Sequence, residues 1–351
     1  MRNISIVFLV FVGFAFQSCT KDDPIIKEGN YSEVLENIAN DVILATYKDL
    51  NDKTIDLHTA LIALQTSPDQ NNLLAAQQAW REARKPWEQS EGFLYGPVDQ
   101  KGIDPAMDSW PVNQTDLDAV LASTHALTKD FIDGLDGTLK GFHTIEYLLF
   151  GVDSKKAVTD FTPRQFEYLI GCSASLQGAT ALLYDSWKPD GGNYIANVIH
   201  AGTTGNSIYP SQKSALEEFT NGMSGIADEV ANGKINDPFT QQNVTLEESR
   251  FSANSKQDFA DNIRSIRHIY LGVYQNATGK GLSQIVLAKD AALDAQIRSD
   301  IDEAISSIEA INSTFTSAIF NSKESVQNAQ NKVRNLQQTI ESKLLPLISN
   351  L

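Results

Sequence analysis

The chain has 351 residues, 42% of them hydrophobic and 21% charged, which suits a folded body with a sizeable core and argues against disorder. Its 28 basic and 44 acidic residues leave a formal charge of −16. Phosphates would be repelled, so nucleic acid is excluded as a partner; cations would be attracted, but the charge alone names no ligand.

The chain opens with a short basic start, Met1-Arg2-Asn3, followed by an apolar run from Ile4 to Phe16. That run is too short to span a bilayer comfortably and has the length of a signal-peptide core. Residues 1–18 read as a lipoprotein signal peptide. Ser18-Cys19 forms the heart of a bacterial lipobox, although Phe16 and Gln17 depart from its usual pattern. Lipidated Cys19 would anchor the chain to the membrane through a tether, residues 19–30. This places the protein in the cell envelope, on the outer membrane, facing the periplasm or the surface. An ordinary cleaved signal peptide is the alternative. Cys172 is the one other cysteine, so no intrachain disulfide is expected once Cys19 carries lipid. Cys172 reads as a small core residue.

The rest reads as helix. Val34, Leu35, Ile38, Val42 and Ala45 recur at helical spacing. Ser67-Pro68-Asp69-Gln70 has the form of an N-cap, a first-turn proline and a capping-box glutamine, starting a helix that Pro86 should kink or end. Thr162-Pro163-Arg164-Gln165 repeats that start signal for a long helix to about Trp187. Near the C-terminus, Ile301, Ile305, Ile308, Ile311 and Phe315 form one stripe. Val326, Ala329, Val333, Leu336, Ile340 and Leu344 form another. No segment alternates with period two well enough to suggest a sheet. The expected class is all-α, built as bundles. Residues 31–190 and 191–351 would be the two halves, divided within the Gly- and Asn-rich stretch from Lys188 to Pro210. Two further segments, Gly92 to Gln114 and Asn232 to Ser255, look like long irregular loops, which in a bundle usually line a site.

The most informative motif is Gly141-Phe142-His143-Thr144-Ile145-Glu146. On a helix, His143 and Glu146 share a face and can reach one point, as two metal ligands or as a base with its orienting carboxylate. A satisfied core histidine is the plainer alternative. The remaining histidines, His58, His125, His200 and His268, stand alone and read as surface or capping residues.

Three segments combine in order. They are Trp87-Glu88-Gln89-Ser90-Glu91-Gly92-Phe93-Leu94-Tyr95-Gly96-Pro97-Val98 with Asp108-Ser109-Trp110-Pro111; the Gly141 to Glu146 motif; and Glu248-Ser249-Arg250-Phe251-Ser252 through Asp258, Asn262 and Ile269-Tyr270-Leu271-Gly272. From about Tyr31 onward this set resembles the imelysin family. The resemblance implies two helical bundles packed side by side, with the motifs gathered in the cleft between them. It also implies either a metallopeptidase or an iron-regulated, metal-binding protein.

A catalytic zinc usually has three protein ligands, and His143 and Glu146 supply two. Glu91 and Asp108 are the candidates to complete the set. One imidazole with carboxylates suits a divalent metal such as iron, manganese or zinc better than copper. No H-E-x-x-H or H-x-x-E-H run supports a peptidase. Arg250 and Asp258 could form a buried ion pair. Alternatively, Ser249, Arg250, Ser252 and Asp258 could bind a small or anionic ligand. The favoured reading is a lipid-anchored metal-binding protein acting in iron or metal acquisition. The alternatives are a metallopeptidase using the same site, and a module binding a peptide, a glycan or a haem-bearing partner at the cell surface.

Overall fold

The computed structural model describes residues 29–275, 277 and 279–351. The signal peptide, Cys19 and nearly all of the tether lie outside the described residues. Among the described residues there are helices and turns and no strand, so the chain is all-α. No described helix is long and apolar enough to cross a membrane.

Helix α1 runs through Ser32–Asn37, a π-helical stretch Ile38–Leu44 and Ala45–Thr66. Its stripe of Val34, Leu35, Ile38 and Val42 is fully buried. Helix α2 spans Gln70–Glu88, capped by Asp69, whose carboxylate accepts from the Asn72 amide at 2.9 Å. The expected cap, Ser67, is instead spent closing α1, its amide bonded to the Ala63 carbonyl. Pro86 sits in the last turn of α2, which stops two residues later. Helix α3 is Gly141–Phe150 and helix α4 is Pro163–Trp187. Thr162 and Gln165 form the expected reciprocal capping box, with both bonds at 3.2 Å.

Helix α5, Gln212–Asp228, continues into a π-helical end, Glu229–Lys234. Helix α6 is Ser255–Leu271 and helix α7 is Ala291–Glu309. Helix α8 covers Lys323–Thr339 and carries on through Ile340–Leu344 and Leu345–Ser349. The isoleucine stripe of α7 stops short of Phe315, which opens a separate short helix, Phe315–Asn321. Phe315 still reaches the core, edge-on to Phe259 at 5.1 Å.

Helices α1 to α4 pack on one another, as do α5 to α8, and α2 meets α6 along the seam between these sets. The buried apolar side chains form one continuous cluster from Tyr31 to Ile348 across that seam. The two long segments are less irregular than their Gly and Pro content suggests. The first holds short helical turns at Glu91–Phe93, Pro97–Gln100 and Ile103–Met107, and the second holds Asn236–Gln241 and Val244–Leu246. A proline at the first helical position costs no hydrogen bond, which is how Pro97 starts a helix inside an apparent loop.

Candidate metal centre

Polar groups gather where α2 meets α6. Arg84 and Glu88 stand one turn apart on α2, followed by Glu91 in the next turn. The short helix Ile103–Met107 ends at Asp108, and α3 supplies His143 and Glu146. The segment before α6 supplies Glu248, Ser249 and Ser252, α6 itself supplies Asp258 and Asn262, and the π-helical end of α5 supplies Lys234. All are buried or nearly so; the His143 side chain is 1% exposed.

Gly141 explains why the histidine motif opens with glycine. Its φ is +76°, and a Cβ there would lie 2.1 Å from the Met107 carbonyl oxygen. The start of α3 therefore abuts the residue before Asp108, and a side chain at 141 would push the two apart.

His143 Nε2 lies 3.1 Å from Asp108 Oδ1, and Nδ1 lies 3.1 Å from Glu146 Oε2. The other Glu146 oxygen accepts from both the amide and the hydroxyl of Ser252, each at 2.7 Å. Glu146 is thus tied on both sides, orienting the imidazole and pinning the 247–254 segment. Asp108 accepts from Trp87 Nε1 at 2.7 Å and is paired with Arg84. The Arg84 guanidinium also meets Glu88 at 2.5 Å and Glu248 at 2.9 Å, with Asp258 3.9 Å from its Nε. Lys234 Nζ meets Glu248 at 2.9 Å. Asn262 donates to Glu88 at 2.6 Å.

Six buried carboxylates (Glu88, Glu91, Asp108, Glu146, Glu248 and Asp258) thus surround two cations, Arg84 and Lys234, and one imidazole. Burial pushes Glu88 and Glu91 well above the usual carboxylate range despite Arg84 and Lys234 beside them. Burial likewise raises Asp258 to about 7 against the pull of Arg84. Asp108 goes the other way: burial would raise it, but Arg84 and His143 hold it below its ordinary value. For His143, burial and Arg84 disfavour the charged ring, yet Asp108 and Glu146 outweigh them and raise it to about 9.

Glu248 Oε2, Asp258 Oδ2, Asn262 Oδ1 and the Arg84 Nε donor have no hydrogen-bond partner; Glu88 Oε1 and His143 Nε2 also lack an aligned hydrogen bond but lie against Arg84 at 2.5 Å and Asp108 at 3.1 Å. Unpartnered buried polar atoms are costly, and three of these (Glu248 Oε2, Asp258 Oδ2 and Asn262 Oδ1) are oxygens that a cation would satisfy. Ligand atoms of Asp108, His143 and Glu248 lie within 4.8 Å of one another, and so do those of Glu88, Glu91 and Asp108. Imidazole and carboxylate donors at such spacing fit a divalent ion of the iron, manganese or zinc type.

The structure divides the expected ligand quartet. His143 and Asp108 come together with Glu248, whereas Glu91 groups with Glu88 and Asp108 beside Lys234. Glu146 touches His143 but is engaged by Ser252. The expected Arg250–Asp258 ion pair is absent. Arg84 takes that place, and Arg250 lies over the Phe251 ring at 4.5 Å. Ser252 serves Glu146, while the buried Ser249 hydroxyl lacks a well-aligned hydrogen bond.

Sequence reasoning missed Arg84, Glu88, Lys234 and Glu248 as site residues. Arg84 and Glu88 are four apart on a helix, a spacing that ordinarily marks a solvated surface pair. Glu248 stood in a noted motif, and Lys234 carried no signal. Cys172 is a fully buried core residue, its thiol pushed up by burial.

Comparison with known proteins agrees with this architecture. The imelysin family model matches residues 43–342, and the chain belongs to that family. It is similar to iron-regulated protein A of Synechococcus elongatus, 28% identical over 342 residues, covering 96% of this chain and 91% of the relative. A crystal structure described as an iron-regulated protein A precursor from Parabacteroides distasonis superposes with a TM-score of 0.79 at 29% identity, covering 91% of this chain and 94% of that one. An imelysin-like protein from Psychrobacter arcticum shares the fold, with a TM-score of 0.73 at 13% identity and coverage of 91% and 95%.

Proposed function

We propose that this imelysin-family chain is a cell-envelope lipoprotein that binds a divalent metal at the seam and acts in iron or metal acquisition. One observation carries the reading: among the described residues only Arg84 and Lys234 are permanent cations in direct contact with these six buried carboxylates, with Arg81 and Arg250 acting from farther off, and Glu248 Oε2, Asp258 Oδ2 and Asn262 Oδ1 lack hydrogen-bond partners. Protons or a metal ion must make up the missing positive charge, and a metal ion would also satisfy the orphaned atoms. Asp108, His143 and Glu248 would hold the ion, Glu146 would orient the imidazole, and Ser252 would fix Glu146. Residues 31–190 and 191–351 would be the two halves that meet at this centre.

The relatives described as iron-regulated protein A are in keeping with an iron-related role, and the description of one as a precursor is in keeping with export. The peptidase reading rests on the peptidase name that the matched family model carries. The imidazole is sealed from solvent, and carboxylates rather than a second histidine stand beside it.

Anaerobic titration calorimetry with Fe²⁺ and Zn²⁺ tests the proposal. The parent should bind one equivalent, and His143→Ala should bind at least ~10-fold more weakly. Equal affinity in both proteins would remove His143 from the site.

A further inference from the structure

Lys234 is the least expected member of the seam. Its side chain is 1% exposed, and its ammonium meets four carboxylates from three segments. These are Glu248 at 2.9 Å, Glu91 at 3.5 Å, Glu229 at 3.6 Å and Glu88 at 3.7 Å. Trp110 closes one side, its ring 5.4 Å from Nζ. The residue sits at the end of a π-helical stretch, where one residue more per turn re-aims the following side chains.

Two carboxylate sets overlap here through Asp108. The inner one is Asp108, His143 and Glu248; the outer one is Glu88, Glu91 and Asp108. Lys234 Nζ touches two of the three outer members. The outer set leads toward solvent, since Glu229, which also pairs with Lys234, is 46% exposed. An acidic cluster alone would not define a cation position. Here, however, Glu248, whose other oxygen Lys234 holds, is fully buried and its Oε2 has no hydrogen-bond partner.

Resting on the metal reading above, we propose that Lys234 is a built-in cation that fills the outer carboxylate set and limits the centre to one metal ion. An ammonium is a compact point charge with three donors, so it can take the place of a hard ion among carboxylates without matching its coordination geometry. A divalent ion in the inner set would feel Lys234 as a like charge across Glu248. Removing the lysine would therefore tighten the inner position as well as open the outer one.

The test is calorimetry with Co²⁺, whose visible absorption also reports each ion's ligand field, on the parent, Lys234→Met, Lys234→Gln and Lys234→Arg. Circular dichroism checks the fold of each variant, and the polar Gln variant stands in should Met fail to fold. The parent and Lys234→Arg should bind one equivalent, and the neutral variants two. Adding Glu91→Gln to a neutral variant should abolish only the second equivalent, and adding His143→Ala only the first. One equivalent of unchanged affinity in the neutral variants would overturn the role of Lys234 and leave the inner site standing. No ion in the parent, with one Glu91-dependent ion in the neutral variants, would overturn the inner site and leave Lys234 as the blocking cation. No ion in any protein would overturn both.

Discussion

Gly141 shows how one residue without a side chain assembles a site. A Cβ at that position would strike the Met107 carbonyl and would also require an unfavourable positive φ. Gly141→Ala should therefore destabilise the fold by about 2 kcal/mol or more and separate His143 from Asp108. Urea denaturation checks this; an unchanged midpoint would mean the contact gives way freely. His268 offers a different kind of test, remote from metal chemistry. Burial first, then Arg267, Arg264 and Lys85, lower it from 6.5 to about 3. Its depressed folded value means the unfolded chain binds the extra proton. The stability this histidine contributes is complete above 6.5 and is lost as pH falls toward 3. His268→Phe should keep the edge-on contact with Tyr274 and flatten the fall in Tm between pH 6.5 and 4. Parallel Tm curves for the two proteins would contradict the assignment. At this scale the helical spacing of His143 and Glu146 was legible, and the structure sets the two side chains 3.1 Å apart. The sequence was opaque where charges are buried, because nothing local distinguishes the sealed Arg84–Glu88 pair from a solvated one.

Helix boundaries follow local chemistry when cap and turn do not compete. Thr162 and Gln165 cap α4 as their spacing predicts, whereas Ser67 loses its capping role because its backbone already closes α1. Thr162→Ala should cost α4 about 1 kcal/mol, read as a lower urea midpoint with an unchanged slope; no loss would show that tertiary packing alone fixes this end. The apolar stripes of α1, α7 and α8 were legible for the ordinary reason that buried positions repeat at helical spacing. The π-helical end of α5 was not. A one-residue widening leaves no compositional trace, yet it delivers Lys234 to the seam. The segment after α2 was read as loop because Gly and Pro punctuate it. Its apolar groups in fact fold back as short helical turns that set Asp108 against α3.

Across the whole molecule, net acidity and the buried acidic seam are separate matters. Surface carboxylates face solvent, while those at the seam are buried against Arg84 and Lys234, where burial pushes Glu88 and Glu91 above the usual carboxylate range. The two helix sets share one continuous apolar core that runs across the seam. Such a closed arrangement leaves the His143 imidazole 1% exposed. Anomalous diffraction at the zinc or iron edge, from crystals grown with that metal, tests the central claim most directly. The account predicts a peak within coordinating reach of His143, Asp108 and Glu248, absent in His143→Ala. Peaks confined to surface carboxylates, with none at the seam, would contradict it.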